Sequence, residues 1–201
     1  MPKSSQRDWI PYVLPALLSV VAVALALGED SVRAALRYDR TELVNGEYWR
    51  WLTGHIVHAS WSHAWLNLAG LWVVWFLFKE RLGIRFGWWI TLVAILTMDI
   101  GFWFRDTQLG WYVGLSGLLH GYFTAGALDE AWRGVKGGVW LLLGVIAKLV
   151  YEQMFGALPM TAEASGGPVW VNSHLYGAMG GAVAAIIWNS RQPFTPGLSR
   201  R

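Results

Sequence analysis

The chain has 201 residues, of which 55% are hydrophobic, 15% aromatic and 14% charged, against about a quarter charged in an ordinary soluble domain, so lipid is its main solvent. A formal charge of +3 is too small and too scattered to suggest nucleic acid, the basic residues gathering instead at segment ends, and fifteen tryptophans suit interfacial belts at headgroup level. With no cysteine, disulfides, thiol catalysis and cysteine-ligated metals are excluded together.

Apolar segments run approximately over 10–27, 63–78, 88–104, 114–128, 138–155 and 169–188. Most approach the ~20 residues that cross a bilayer, which predicts an all-α, six-transmembrane-helix bundle forming one membrane domain over 1–201. Loops carrying Lys3, Arg7, Lys79, Arg81, Arg85, Arg133, Lys136, Arg191, Arg200 and Arg201 fall on one side. Arg33, Arg37, Arg40, Arg50 and Arg105 fall on the other, and this asymmetry predicts both termini in the cytoplasm. The loop 157–168, free of Lys and Arg, lies outside. The first segment has a rival interpretation as a cleaved secretory signal, since Lys3 and Arg7 precede an apolar run ending Ala24-Leu-Ala26. Its length and its two prolines, Pro11 and Pro15, argue for a retained helix.

The outer loop 28–62 is long enough to be a feature in its own right. Its second half, Tyr48-Trp-Arg-Trp-Leu-Thr-Gly-His-Ile-Val-His-Ala-Ser-Trp, mixes aromatics, histidines and an arginine, which suits the membrane interface. An inert connector is the plainer interpretation of the same residues.

Segment four begins Gly114-Leu-Ser116-Gly117-Leu-Leu-His120, with a lone serine between small residues. As a helix from 114 to 128 it spans roughly 22 Å, against a hydrocarbon core near 30 Å. With Asp129 and Glu130 at the inner surface, Ser116 sits at a helix N-terminus below the outer surface. Unpaired N–H groups there require protein or water as partners, which predicts an aqueous pocket open to the outside with Ser116 at its floor. A serine needs a base to become a nucleophile. In segment six, His174-x-x-Gly177-x-x-x-Gly181 puts an imidazole and two glycines on one helical face. Packing that face on Gly117, Gly121 and Ala125 of segment four brings His174 towards Ser116. Two small-residue helices closing on one satisfied histidine is the alternative.

In segment two, His63-x-x-x-Asn67 presents an imidazole and a carboxamide at the same outer end, as donors for an oxyanion or as an interhelical clamp. His120, one turn below Ser116, is a candidate to stack on or hydrogen-bond His174. Lys148 and Glu152 form an i, i+4 pair in segment five, read as an internal structural ion pair.

Together these motifs resemble the rhomboid intramembrane serine protease family. The matching residues are Trp49-Arg50, His63-x-x-x-Asn67, Gly114-x-Ser116-Gly117 and His174-x-x-Gly177-x-x-x-Gly181, in order and in the matching segments. The resemblance implies Ser116 as nucleophile, His174 as general base, His63, Asn67 and the Ser116 N–H as oxyanion hole, and Trp49 and Arg50 as anchors of the interfacial loop. His120 stands where many rhomboids carry a tyrosine that stacks on the catalytic histidine. Gly-Leu-Ser-Gly-Leu-Leu-His-Gly, the compact size and the Lys148/Glu152 pair are similar to the rhombosortase branch. That branch implies a bacterial inner membrane, a site opening to the periplasm, and membrane-anchored protein substrates bearing a C-terminal Gly-Gly motif, an apolar helix and a basic tail. No cofactor, metal or nucleic acid is expected. The competing classes are a catalytically inactive rhomboid-like client-binding protein, and histidine ligation of haem or metal, for which no carboxylate or paired-histidine spacing speaks.

Overall fold

The computed structural model describes residues 9–191; Lys3, Arg7, Arg200 and Arg201, invoked above for topology, lie outside them. A 3-10 turn over Ile10–Tyr12, with Pro11 in its first turn, leads into α1, Val13–Ala26. The outer loop is folded. It holds α2 (Glu29–Leu36), β1 (Tyr38–Asp39), α3 (Arg40–Val44) and α4 (Arg50–Thr53) before α5 (Trp61–Phe78) begins. Next come α6 (Ile84–Ile100), prolonged by a π-helical turn over Gly101–Arg105, and β2 (Trp111–Tyr112). The chain continues with α7 (Ser116–Trp132), α8 (Lys136–Phe155), the short α9 (Thr161–Ser165) and α10 (Val171–Ser190).

The fold is mostly helical, as expected, with one small addition: a two-stranded antiparallel ribbon of two residues a side, with Tyr38 opposite Tyr112 and Asp39 opposite Trp111. The Asp39 carboxylate accepts from the N–H groups of Thr41 and Glu42, capping α3, so β1 ends where a helix starts. The ribbon ties the outer loop to the approach of α7.

Among the described residues, Ile84–Arg105 and Lys136–Phe155 are each long and apolar enough to cross a bilayer. Ile10–Ala26 joins Glu29–Leu36 across a bend of 117° into a further candidate. Outward-facing Val20, Phe76, Leu92, Leu96, Leu143, Ile146 and Val183 are exposed along the long helices, a surface that water penalises and acyl chains accept. Inside, α1 and the turn before it are fastened to α5 by indole donors, Trp75 Nε1 to the Pro11 carbonyl of the turn at 2.6 Å and Trp72 Nε1 to Ser19 Oγ of α1 at 3.2 Å. Trp75 is fully buried, so not every tryptophan serves an interfacial belt.

The most extensive helix contact joins α7 to α10, and glycine is its cause. A Cβ on Gly177 would overlap the Gly117 carbonyl, and one on Gly181 would overlap the Gly121 carbonyl. The backbones therefore touch along the two faces, as small residues allow in lipid. α7 also runs past Asp129, where the sequence suggested an inner boundary. Asp129 is buried at 2% exposure because Arg133 donates to both its oxygens, at 2.9 and 3.1 Å, and Arg81 stands 3.8 Å away. Neutralised by its own next turn, the carboxylate does not stop the helix.

Candidate active site

Ser116 opens α7, behind a sharp entry made by Gly114 at φ +131°, a left-handed conformation that suits glycine. The Gly114 N–H is held by the Gly54 carbonyl at 3.1 Å, and its carbonyl accepts from the Tyr112 hydroxyl at 2.8 Å. The ribbon and the outer loop thus fix the backbone just before the serine. As a first-turn residue, Ser116 also presents a backbone N–H with no intrahelical acceptor.

His174 lies in the first turn of α10, and α10 is fixed in depth by Asp106. That carboxylate accepts from Trp170 Nε1 at 2.8 Å, Asn172 Nδ2 at 2.9 Å and the Tyr176 hydroxyl at 3.1 Å. With the glycine faces closed, His174 Nε2 stands 3.0 Å from Ser116 Oγ. His174 is 5% exposed, whereas Ser116 is half-buried. A cavity of about 360 Å³ lies elsewhere, at the far ends of α6 and α10, lined by Arg85, Trp88, Trp89, Leu92, Ile187, Trp188 and Arg191. The pocket expected at Ser116 is therefore not this one.

His120 stacks on His174, ring centroids 4.1 Å apart and planes within 18°, while its Nδ1 bonds the Ser116 carbonyl at 2.7 Å. On the opposite ring edge, His174 Nδ1 meets Glu152 Oε2 at 2.9 Å. Glu152 is also paired with Lys148 Nζ at 2.7 Å, as its spacing suggested. The contact with His174 went unseen in the sequence, because i, i+4 spacing fixes only relations within α8. His120, Glu152 and His174 bring ligand-capable atoms within 4.8 Å of one another. Three helices thus build a juxtaposition that linear spacing could not reveal. Among the described residues these atoms are close enough to share a metal ion, though His174 Nδ1 and His120 Nδ1 already hold partners.

From α5, His63 and Asn67 approach Gly114, two residues before the serine. Ser60 caps α5 by accepting the His63 N–H at 3.1 Å. The Ala59 N–H points to His63 Nδ1 at 3.4 Å, which leaves the ring proton on Nε2. A Cβ added to Gly114 would sit 3.0 Å from that Nε2 and 3.9 Å from Asn67 Nδ2, so both groups border the approach to Ser116. Asn67 Nδ2 is buried with no hydrogen-bond partner among the described residues. Two donors therefore converge on Gly114, two residues before Ser116, and donors are the groups an oxyanion requires.

Arg50 is 4% exposed and donates to the Ala34 and Arg37 carbonyls at 2.8 and 2.9 Å and to Glu47 at 2.7 Å. Trp49 Nε1 donates to the Ala35 carbonyl at 3.1 Å. Both satisfy carbonyls around the end of α2 that the helix itself leaves open. A second buried pair, His55 Nε2 with Asp99 Oδ1 at 3.1 Å, joins the loop to α6. Sequence inspection missed it for want of any local pattern. Buried His58, whose ring centroid lies 5.1 Å from that of His63, is held neutral by desolvation, its pKa lowered to about 3.

The Rhomboid domain family model matches residues 45–191, an interval holding the serine, both site histidines, the α5 donors and Glu152. With that match over most of its length, and with its apolar helices, the chain is a membrane protein and belongs to the rhomboid family.

Proposed function

We propose that this chain is an intramembrane serine endopeptidase. The observation that carries the proposal is the 3.0 Å approach of Ser116 Oγ to His174 Nε2 at the mouth of a helix held by glycine packing. In this mechanism His174 takes the hydroxyl proton as Ser116 attacks the scissile carbonyl. His63 Nε2–H, Asn67 Nδ2–H and the Ser116 N–H hold the oxyanion, and the collapse of the tetrahedral adduct leaves an acyl-enzyme. Water, or an amine acceptor, releases it.

The substrates we propose are proteins with a C-terminal Gly-Gly boundary, an apolar helix and a basic tail, entering laterally past α8. Glycine disfavours helix, so such a boundary unwinds readily to expose the bond. The membrane is a bacterial inner membrane crossed six times by one domain, both termini cytoplasmic and the site facing the periplasm. The branch assignment is supported by His120 stacked where a tyrosine is usual, and by the Lys148/Glu152 pair beside the site.

The test is cleavage of a tagged reporter with that tripartite C-terminus, together with fluorophosphonate labelling of Ser116 in membranes. Wild type cleaves and labels, whereas Ser116→Ala and His174→Ala accumulate in membranes and do neither. Cleavage by both variants at the wild-type rate would refute the mechanism. Absence of labelling in wild type would favour an inactive client-binding protein.

A further inference from the structure

A carboxylate from a further helix extends the hydroxyl and imidazole pair. Glu152 of α8 is 2% exposed, and its two oxygens are divided: Oε2 lies 2.9 Å from His174 Nδ1, and Oε1 lies 2.7 Å from Lys148 Nζ. The nitrogen it meets is the one turned away from Ser116 Oγ. Hydroxyl, imidazole, carboxylate and ammonium thus stand in file across α7, α10 and α8. A purely structural ion pair would need no contact with the imidazole.

We propose that Glu152 is a positioning residue for His174, fixing its tautomer and stabilising the imidazolium, and that Lys148 sets how much of the carboxylate charge the ring feels. The inference rests on the serine-protease mechanism above. A neutral imidazole carries one N–H, on either nitrogen, while an ionised carboxylate only accepts. Glu152 therefore draws the proton to Nδ1 and leaves the Nε2 lone pair aimed at the serine hydroxyl. As Oγ bonds to the carbonyl carbon, the C=O electron pair moves onto oxygen and the hydroxyl proton moves to Nε2. The ring is then a cation that donates from Nδ1 to Glu152. When the C–N bond breaks, the Nε2 proton goes to the departing amine and the ring is neutral again. A carboxylate at hydrogen-bond distance favours the cationic ring, and Lys148 opposes it through like charge. The ammonium also keeps the buried carboxylate paired before any proton moves, which an isolated charge in that position would not tolerate.

The titratable and charged groups facing His174 are His120 from α7, Glu152 and Lys148 from α8, and His63 from α5. His120 covers a ring face and Glu152 an edge, so the ring is held in both plane and tilt.

The experiment measures the rate of fluorophosphonate labelling of the full-length protein in detergent from pH 4 to 9. It compares wild type, Ser116→Ala, Glu152→Gln, Glu152→Asp and Lys148→Met. Glu152→Gln is expected to lower the plateau rate by roughly 10³–10⁴-fold and to move the acid-side midpoint down by about one pH unit or more. Glu152→Asp recovers part of the rate. Lys148→Met moves the midpoint the other way, a pair of opposite shifts that loss of packing does not produce. Serine-dependent labelling of Glu152→Gln within about threefold of wild type, its midpoint unmoved, overturns the inference and leaves the protease mechanism standing. Should Glu152→Gln fail to fold, an unmoved midpoint in Lys148→Met overturns it instead. Wild type that labels no faster than Ser116→Ala overturns the mechanism and the inference together.

Discussion

Replacing Gly177 by alanine is expected to disconnect Ser116 from His174 while leaving both in place. The added Cβ would overlap the Gly117 carbonyl, and since the obstruction is backbone, no rotamer change relieves it. The helices α7 and α10 must separate. Gly117 adjoins Ser116 and Gly177 lies one turn from His174, so a separation of about 1 Å carries the Oγ–Nε2 distance from 3.0 Å to about 4 Å, beyond hydrogen-bond reach. A misplacement of that size lowers rates by on the order of 100-fold. Overpacking itself costs only about 1–3 kcal/mol of stability. The assay is fluorophosphonate labelling beside a thermal midpoint, with Gly144→Ala as control, because a Cβ at Gly144 meets nothing within 4 Å. Labelling of Gly177→Ala within twofold of wild type would refute the reasoning, since close backbone contact would then not be what aligns the pair.

Asn67→Ala removes a buried, unpartnered donor close to Gly114 and is expected to lower kcat by roughly 10²–10³-fold with KM little changed, measured on the tripartite reporter. Arg50→Leu strips donors from the Ala34 and Arg37 carbonyls and leaves Glu47 uncompensated. Glu47 keeps about a third of its side chain in solvent, so the orphaned carbonyls dominate and a loss of about 1–3 kcal/mol is expected, read as a lowered thermal midpoint with the outer loop opened to protease. His58, neutral when folded, has a pKa lowered to about 3 from 6.5, so the unfolded chain binds a proton that the folded one refuses. Its contribution is complete above pH 6.5 and fades as pH falls towards 3, by up to about 1.4 kcal/mol per pH unit. The thermal midpoint of His58→Gln should accordingly fall less steeply on acidification, and an unchanged slope would count against the assignment.

Relations carried within one helix were legible in the chain. The 3.6-residue period alone puts His120 beneath Ser116, Gly177 and Gly181 beside His174, Asn67 below His63 and Glu152 one turn from Lys148. Glycine at those positions also announced which faces pack closely, because only a missing side chain lets two backbones meet. Composition announced the solvent. The folded outer loop was not legible, since α2, α3 and the β1–β2 ribbon are short elements stabilised from outside. Arg50 closes the end of α2, and β1 exists only because β2, some seventy residues later, supplies its partner. The end of α7 was misplaced because a carboxylate was read as a boundary, while Arg133 and Arg81 neutralise it in the fold.

The sequence by itself determined that this is a lipid-solvated chain of the rhomboid family, with a serine at the mouth of a glycine-faced helix. Only the tertiary structure decided that Glu152 divides its oxygens between Lys148 and His174, that His120 lies flat on the same imidazole, and that Asp106 sets the depth of α10. The reason is physical. Spacing along a helix is set by backbone hydrogen bonds and repeats predictably, whereas the rotation and height of one helix against another are set by the packing of every side chain between them.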